Sequence, residues 1–263
     1  MIGSFHTHSI YCDGKNTPEE MVQQALRLGC SAIGFTGHSN TPFDPGYCMD
    51  APREQAYRQE VLRLKKAYQG EITIYLGLEQ DYYSALPDFP YEYLIGSVHY
   101  VEKNGQYLSV DDTPEILQNG VDTLYGGDFY ALAEDYYKLV ADVTRKTGCQ
   151  IVGHMDLITK FNRGNVFFDE AHPRYRAAAI KALHALVEQK ALPEINTGAM
   201  SRGYRDEPYP APFLLEELGK LHGSAIVTTD AHRAQDLLAY GQQAEILARK
   251  YGVFLVEIPP MRK

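Results

Sequence analysis

Short apolar runs recur along the chain and alternate with longer stretches of helical spacing. Ala32-Ile33-Gly34-Phe35-Thr36, Ile72 to Leu76, Tyr93 to Ile95, Gln150 to Val152, Glu194-Ile195-Asn196 and Ala225 to Thr229 read as strands, and Ile2 to His8 reads as a strand ahead of them. Thr17-Pro18-Glu19-Glu20 is a helix start, with Thr as N-cap, Pro at the first helical position and Glu three residues after the cap. Met21, Val22, Ala25, Leu26 and Leu28 then follow at helical spacing, and Gly29 ends the run. Further helices are predicted from about Arg53 to Tyr68, Phe129 to Thr147, Arg174 to Gln189, Phe213 to Leu221 and Ala234 to Lys250, with Val253 to Val256 as a short extra strand. The polar, Gly- and Asp-rich stretch from Tyr100 to about Gly127 predicts a long loop, an excursion over one face. Helices between most successive strands require parallel strands joined by crossovers. The class is therefore α/β.

The strand ends carry the chemistry. His6 and His8 lie two apart, so a strand would aim both rings to one side, with Asp13 on the loop that follows. Later strands run into His38, Glu79, His99 and His154, and Thr229-Asp230-Ala231-His232 repeats the two-residue spacing of the first. In an α/β barrel the carboxyl ends of the strands share one face, where active sites are built. Polar residues at the ends of separate strands would converge there. The other three of the nine histidines, His172, His184 and His222, lie in or beside helical segments and are read as bystanders.

Composition narrows the partners. A net charge of -9 without any basic stripe argues against a nucleic-acid surface. No apolar run approaches membrane-spanning length, and the start of the chain lacks a signal peptide's basic and apolar regions. Cys12, Cys30, Cys48 and Cys149 stand singly, as reduced thiols of a cytoplasmic protein would. No linker, charge block or tandem repeat asks for a boundary, so 1–263 reads as a single domain. The oligomeric state is left open.

Imidazole and carboxylate are ligands for borderline and hard divalent ions, so zinc, manganese or iron would all be accepted. His6, His8, Asp13, His38, Glu79, His99, His154, Asp230 and His232 are too many for one ion with an open position. They suit two or three ions with a carboxylate bridging. Asp13, Glu79 and Asp230 contribute three negative charges, which two or three divalent ions outweigh. The pocket would then be locally cationic and suited to an anionic small-molecule substrate such as a phosphate ester. Sites of this kind activate a bridging water for in-line displacement at phosphorus.

Phe5-His6-Thr7-His8 with Asp13, Phe35-Thr36-Gly37-His38, Gly77-Leu78-Glu79, Ile95-Gly96-Ser97-Val98-His99, Gly153-His154-Met155-Asp156 and Thr229-Asp230-Ala231-His232 resemble the motifs of the polymerase-and-histidinol-phosphatase superfamily. Within it the chain most resembles the histidinol-phosphate phosphatases. The resemblance implies a distorted seven-stranded (β/α) TIM-like barrel, with a trinuclear site at the C-terminal ends of the strands. It also implies hydrolysis of L-histidinol phosphate to L-histidinol and phosphate in histidine synthesis. By that analogy His6, His8, Glu79 and Asp230 hold one ion, Glu79 bridges to a second held by His99 and His154, and Asp13, His38 and His232 hold the third.

Arg163 and Arg202 lie on loops beyond the strands of His154 and Asn196, where a guanidinium could pair with phosphate oxygens. Ser97 and Asn196 read as supports for ligands or substrate. Asp230 and His232, or a coordinated water, are candidates to protonate the leaving alkoxide. Recognition of the organic half falls to Asp81–Tyr83 or to the 100–127 excursion. Rival readings are a phosphatase acting on phosphotyrosine or nucleotides, an amidohydrolase-type hydrolase, and a non-enzymatic metal-stabilised module. No metal-bridging lysine stands at a strand end to support the second, and the complete ligand set argues against the third.

Overall fold

The computed structural model describes residues 3–262, so Ile2 of the expected first strand lies outside the described residues. α1 (Pro18–Arg27) begins at the capping box read from sequence: Thr17 accepts from the Glu20 backbone N–H, and the Glu20 carboxylate accepts from Thr17 N–H in return. It leads to β1 (Ala32–Phe35), followed by α2 (Ala51–Ala67), β2 (Thr73–Asp81) and β3 (Tyr93–Ser97). The expected 100–127 loop is ordered. It holds an antiparallel hairpin, β4 (Tyr100–Lys103) and β5 (Gln106–Ser109), and a helix, α3 (Pro114–Tyr125) capped by Thr113. Its apolar positions are sparse because only one side of each element is covered: Val101, Leu108, Leu117 and Val121 are buried while Tyr107 and Ile116 are exposed.

The chain continues through α4 (Phe129–Thr147), β6 (Ile151–Val152), α5 (Pro173–Glu188), β7 (Leu192–Asn196), the single turn α6 (Gly198–Ser201), α7 (Pro212–Lys220) and β8 (Ser224–Thr228). The helix expected over Ala234 to Lys250 is broken. A 3-10 turn at Ala234–Asp236 precedes α8 (Gly241–Lys250), with Tyr240 between them at φ +60°. The hydroxyl of Thr229 donates to Leu237 O and that of Thr197 to Ala239 O, which ties this loop to strand ends against its helical periodicity. β9 (Phe254–Val256) then pairs parallel with β8.

All strand pairs in the main sheet are parallel, in the order β1-β2-β3-β6-β7-β8-β9. The curled seven-stranded sheet thus has the expected class, but its strands differ by one from those read in sequence. The extra strand at the end is a full member, and the first segment is not a ladder strand. Residues 5–6 bend, and the segment divides its backbone bonds between two neighbours. Gly34 N–H donates to Ser4 O and Thr36 N–H to Thr7 O, while His8 N–H donates to Ala231 O and Ala231 N–H to His6 O. The segment therefore spans from β1 to the residues beyond β8 without forming a continuous ladder with either.

Apolar side chains outside the sheet pack under the helices in one large cluster. A second cluster joins Phe5 to residues of five strands: Ala32 of β1, Tyr93 and Ile95 of β3, Ile151 of β6, Leu192 of β7 and Ile226 of β8. Phe5 is fully buried in it, and Tyr93 donates from its hydroxyl to Phe5 O at 2.7 Å. That plug fills the interior beneath His6. It also accounts for part of the tyrosine usage, since Tyr57, Tyr91 and Tyr93 are buried with their hydroxyls spent on Gly77 O, Glu54 and Phe5 O.

Candidate metal centre

The sheet delivers each expected ligand to one place. His38 and Glu79 bridge as parallel neighbours just beyond β1 and within β2, and Thr7 and Ala231 do the same between the first segment and the end of β8. Glu79 is the hub. Its Oε2 lies 3.1 Å from His6 Nε2, 3.4 Å from His8 Nε2 and 2.9 Å from His38 Nδ1, and its Oε1 lies 3.1 Å from His154 Nε2 and 3.4 Å from His99 Nε2. Asp230 Oδ1 faces His8 Nε2 at 3.1 Å and His6 Nε2 at 3.6 Å. Asp13 faces His232 Nε2 at 3.1 Å and His38 Nε2 at 3.7 Å.

All nine expected ligands fall into four overlapping groups whose ligand atoms lie within 4.8 Å of one another: His8–Asp13–His38–His232, His6–Glu79–His154, His6–His8–Asp230 and His38–Glu79–His99. Glu79, His6, His8 and His38 each fall in two of the groups. His172, His184 and His222 belong to none of them. His172 caps α5 and stacks on Tyr130, and His184 pairs with Glu217 at 2.8 Å.

The donors fit divalent ions. His6 Nε2, His8 Nε2, Asp13 Oδ1 and Glu79 Oε2 are buried and make no hydrogen bond, an arrangement that costs free energy unless a cation satisfies them. Burial opposes charge on His6, yet Glu194, Glu79 and Asp230 outweigh it and hold its pKa well above the ordinary value. His8 goes the other way, to about 3, through burial and the neighbouring His232 and His38 rings. Burial would raise Glu79 and Asp230, but His38 and His6 beside the first, and Arg202 and His6 beside the second, keep both ionised well below the usual range. Anionic carboxylates packed among imidazoles call for positive charge, which metal ions supply without protonating the rings.

Outer carboxylates hold the rings. His6 Nδ1 donates to Glu194 at 2.6 Å and His99 Nδ1 to Asp81 at 3.1 Å, which leaves each Nε2 bare for coordination. Sequence reading gave Glu194 no role and offered Asp81 only as a substrate contact. The available signal for Glu194 was a charged residue at an inward position of a strand otherwise apolar.

A cavity of about 670 Å³ opens over the centre. Arg202 lines it, with Nη2 3.1 Å from Asp230 Oδ2 and Nη1 3.0 Å from His232 Nδ1. Arg163 does not. It lies on the surface, side chain 59 % exposed, and pairs with Asp206 through two contacts at 2.8 and 2.7 Å. Lys160, three residues earlier, is the cation that faces the cavity from this loop; its Nζ donates to Asp111 O at 2.6 Å and pairs with Asp111 Oδ2 at 3.2 Å. The excursion supplies Tyr100, Ser109, Asp111 and Asp112 to the cavity lining. Ser97 and Asn196 are buried and do not line the cavity. Asn196 donates to Glu194 and accepts from Gly198 N–H, and Ser97 lies packed beneath Gly153, where a Cβ would stand 2.5 Å from its hydroxyl. Among the described residues no helix is long and apolar enough to cross a membrane.

Comparison with known proteins places these residues in context. A model of the PHP domain matches residues 4–198. A probable histidinol-phosphatase of Deinococcus radiodurans is 30% identical over 239 residues, which cover 87% of this chain and 85% of that protein. The histidinol-phosphatase of Bacillus subtilis is 28% identical over 255 residues, covering 88% of this chain and 94% of that one. The structure of a histidinol phosphate phosphatase from Lactococcus lactis, complexed with zinc, L-histidinol and phosphate, shares the fold: its TM-score is 0.70 at 21% identity, covering 99% of this chain and 98% of that one.

Proposed function

The chain belongs to the PHP domain family, and we propose that it is a metal-dependent phosphomonoesterase that hydrolyses L-histidinol phosphate to L-histidinol and phosphate. One observation carries the reading: five histidines converge on the two oxygens of the buried Glu79, and three of them, His38, His99 and His154, line a cavity together with Arg202. The curated relatives named as histidinol-phosphatases supply the substrate. His6, His8, Asp13, His38, Glu79, His99, His154, Asp230 and His232 would hold two or three divalent ions, with zinc, manganese and iron all suited to N/O donors. When bound, the ions supply Lewis acidity at the phosphoryl oxygens and a water deprotonated at neutral pH.

The protein's own groups do the rest. Arg202 binds a phosphoryl oxygen with charge-assisted hydrogen bonds and keeps Asp230 ionised beside it. With Asp230 held ionised, the proton for the leaving alkoxide would come from a water in the cavity, which Asp230 and His232, both on the cavity lining, orient by accepting its hydrogen bonds. Asp112, next to the Lys160–Asp111 pair, is a negative group of the lining that could face the cationic half of histidinol phosphate. The test is a comparison of purified, metal-loaded protein on histidinol phosphate, tyrosine phosphate and nucleotides. The proposal expects kcat/KM to be highest on histidinol phosphate, and preference for either of the others would overturn it.

A further inference from the structure

Glu194 is fully buried and belongs to none of the four donor groups. It stands on β7 between Leu192, which enters the interior plug, and Asn196, so the strand's alternation turns it inward. Both oxygens are saturated. Oε1 accepts His6 Nδ1–H at 2.6 Å and the Thr228 hydroxyl at 2.5 Å, and Oε2 accepts His154 backbone N–H at 2.9 Å and Asn196 Nδ2–H at 2.9 Å. Two of those donors belong to ligand residues on separate segments, one ahead of α1 and one beyond β6. His6 in turn takes part in two donor groups, with Glu79 and His154 in one and His8 and Asp230 in the other. Asp81, by contrast, serves one ligand residue, accepting from the ring and the backbone N–H of His99.

We infer that Glu194 is a positioning residue that couples two ion positions, by fixing His6 as its Nδ1–H tautomer and seating the backbone of His154 with the same carboxylate. A carboxylate on the far nitrogen of a metal-bound imidazole fixes the ring and raises its basicity, and its loss costs about 10–100-fold in metal affinity. His6 Nε2 has one lone pair and serves one ion, while His154, seated by the other oxygen of Glu194, serves a second, so the loss falls on two ion positions. Asn196 and Thr228 then act at one remove, by holding the carboxylate that holds the ligands. The inference rests on the metal-dependent reading above.

The experiment titrates wild type, Glu194→Gln and Asp81→Asn, each stripped of metal, with zinc against a chromophoric chelator. Circular dichroism and thermal melts check the fold. Glutamine keeps the side chain's size but turns an NH₂ toward two donors. Two binding steps are expected to weaken about 10–100-fold in Glu194→Gln and one in Asp81→Asn. Unchanged steps in a folded Glu194→Gln would overturn the inference, as would weakening of a single step. Wild type that takes up no zinc would overturn the metal-dependent reading and this inference with it. Should Glu194→Gln fail to fold, the ¹⁵N spectrum of the wild-type His6 ring decides. With zinc bound its single proton is expected on Nδ1, and a proton on Nε2 in that state would overturn the proposal.

Discussion

Arg202 Nη1 lies 3.0 Å from His232 Nδ1, while its Nη2 reaches Asp230 Oδ2 at 3.1 Å. The guanidinium thus stands over two ligand candidates at the cavity floor, whereas Arg163 is spent on Asp206 at the surface. Arg202→Ala is expected to lose about 30- to 4,000-fold in kcat/KM, the equivalent of roughly 2–5 kcal/mol for truncating a buried, hydrogen-bonded charge. Arg163→Ala should stay within a few-fold, because an exposed ion pair contributes about 0–1 kcal/mol. Steady-state kinetics on histidinol phosphate and on an aryl phosphate check both, and the Arg202 loss should appear with either ester. Equal losses in the two variants would mean that Arg163 moves into the site during turnover.

Metal removal should be visible in stability as well as in rate. The unbonded His6, His8, Asp13 and Glu79 atoms are satisfied only when ions are held. Restoring an ion to about a thousand times its Kd adds about 4 kcal/mol to the folded state. Chelator-treated protein should therefore lose turnover and melt several degrees lower, and zinc or manganese should restore both. Differential scanning fluorimetry with elemental analysis measures this; a melt indifferent to chelator would speak against bound structural charge at the centre.

Ligands and bystander histidines should separate cleanly. His154 sits 3.1 Å from Glu79, and His154→Ala should abolish turnover with the fold retained by circular dichroism. His184 pairs with Glu217 on the helical face with its side chain 43 % exposed. His184→Ala should leave kcat within a few-fold and cost about 1 kcal/mol or less.

The plug beneath the centre carries a large stability term. Phe5 is buried to 1% exposure among residues from five strands, directly before His6. Phe5→Ala should destabilise by about 3–5 kcal/mol in urea unfolding, and Phe5→Leu by clearly less. Metal affinity should fall with it, since the cavity lies under a ligand.

Much of this was legible in the chain because strand and helix periods are local. The capping box at Thr17–Glu20, the apolar faces of α4 and α5, and the ligand-bearing strand ends needed no tertiary knowledge. What failed was non-local. The segment ending in His8 read as strand because it alternates, but Ser4 and Thr7 bond to Gly34 and Thr36 while His6 and His8 bond to Ala231. Tyr240 breaks a helical pattern because hydrogen bonds from Thr197 and Thr229 shape the loop before it. Arg163 and Lys160 sit three apart on one loop, and spacing alone could not say which faces the cavity. Glu194 stayed unseen because three of its four partners, His6, His154 and Thr228, come from distant parts of the chain.

The way the first segment is held has a kinetic corollary. Ser4 and Thr229 share a hydroxyl contact across 225 positions, and His6 and His8 trade backbone bonds with Ala231. Contacts of such sequence separation pay their loop-closure entropy late and slow the folding of the chains that depend on them. On the ribosome, His6 and His8 leave the tunnel long before Asp230 and His232 are made. A nascent chain can acquire the helices, the early strands and the five histidines around Glu79, but His6, His8 and Asp13 gain Asp230 and His232 only after synthesis passes β8. The groups His6–Glu79–His154 and His38–Glu79–His99 are thus complete in sequence before β7 is made, and the two that need Asp230 or His232 are completed last.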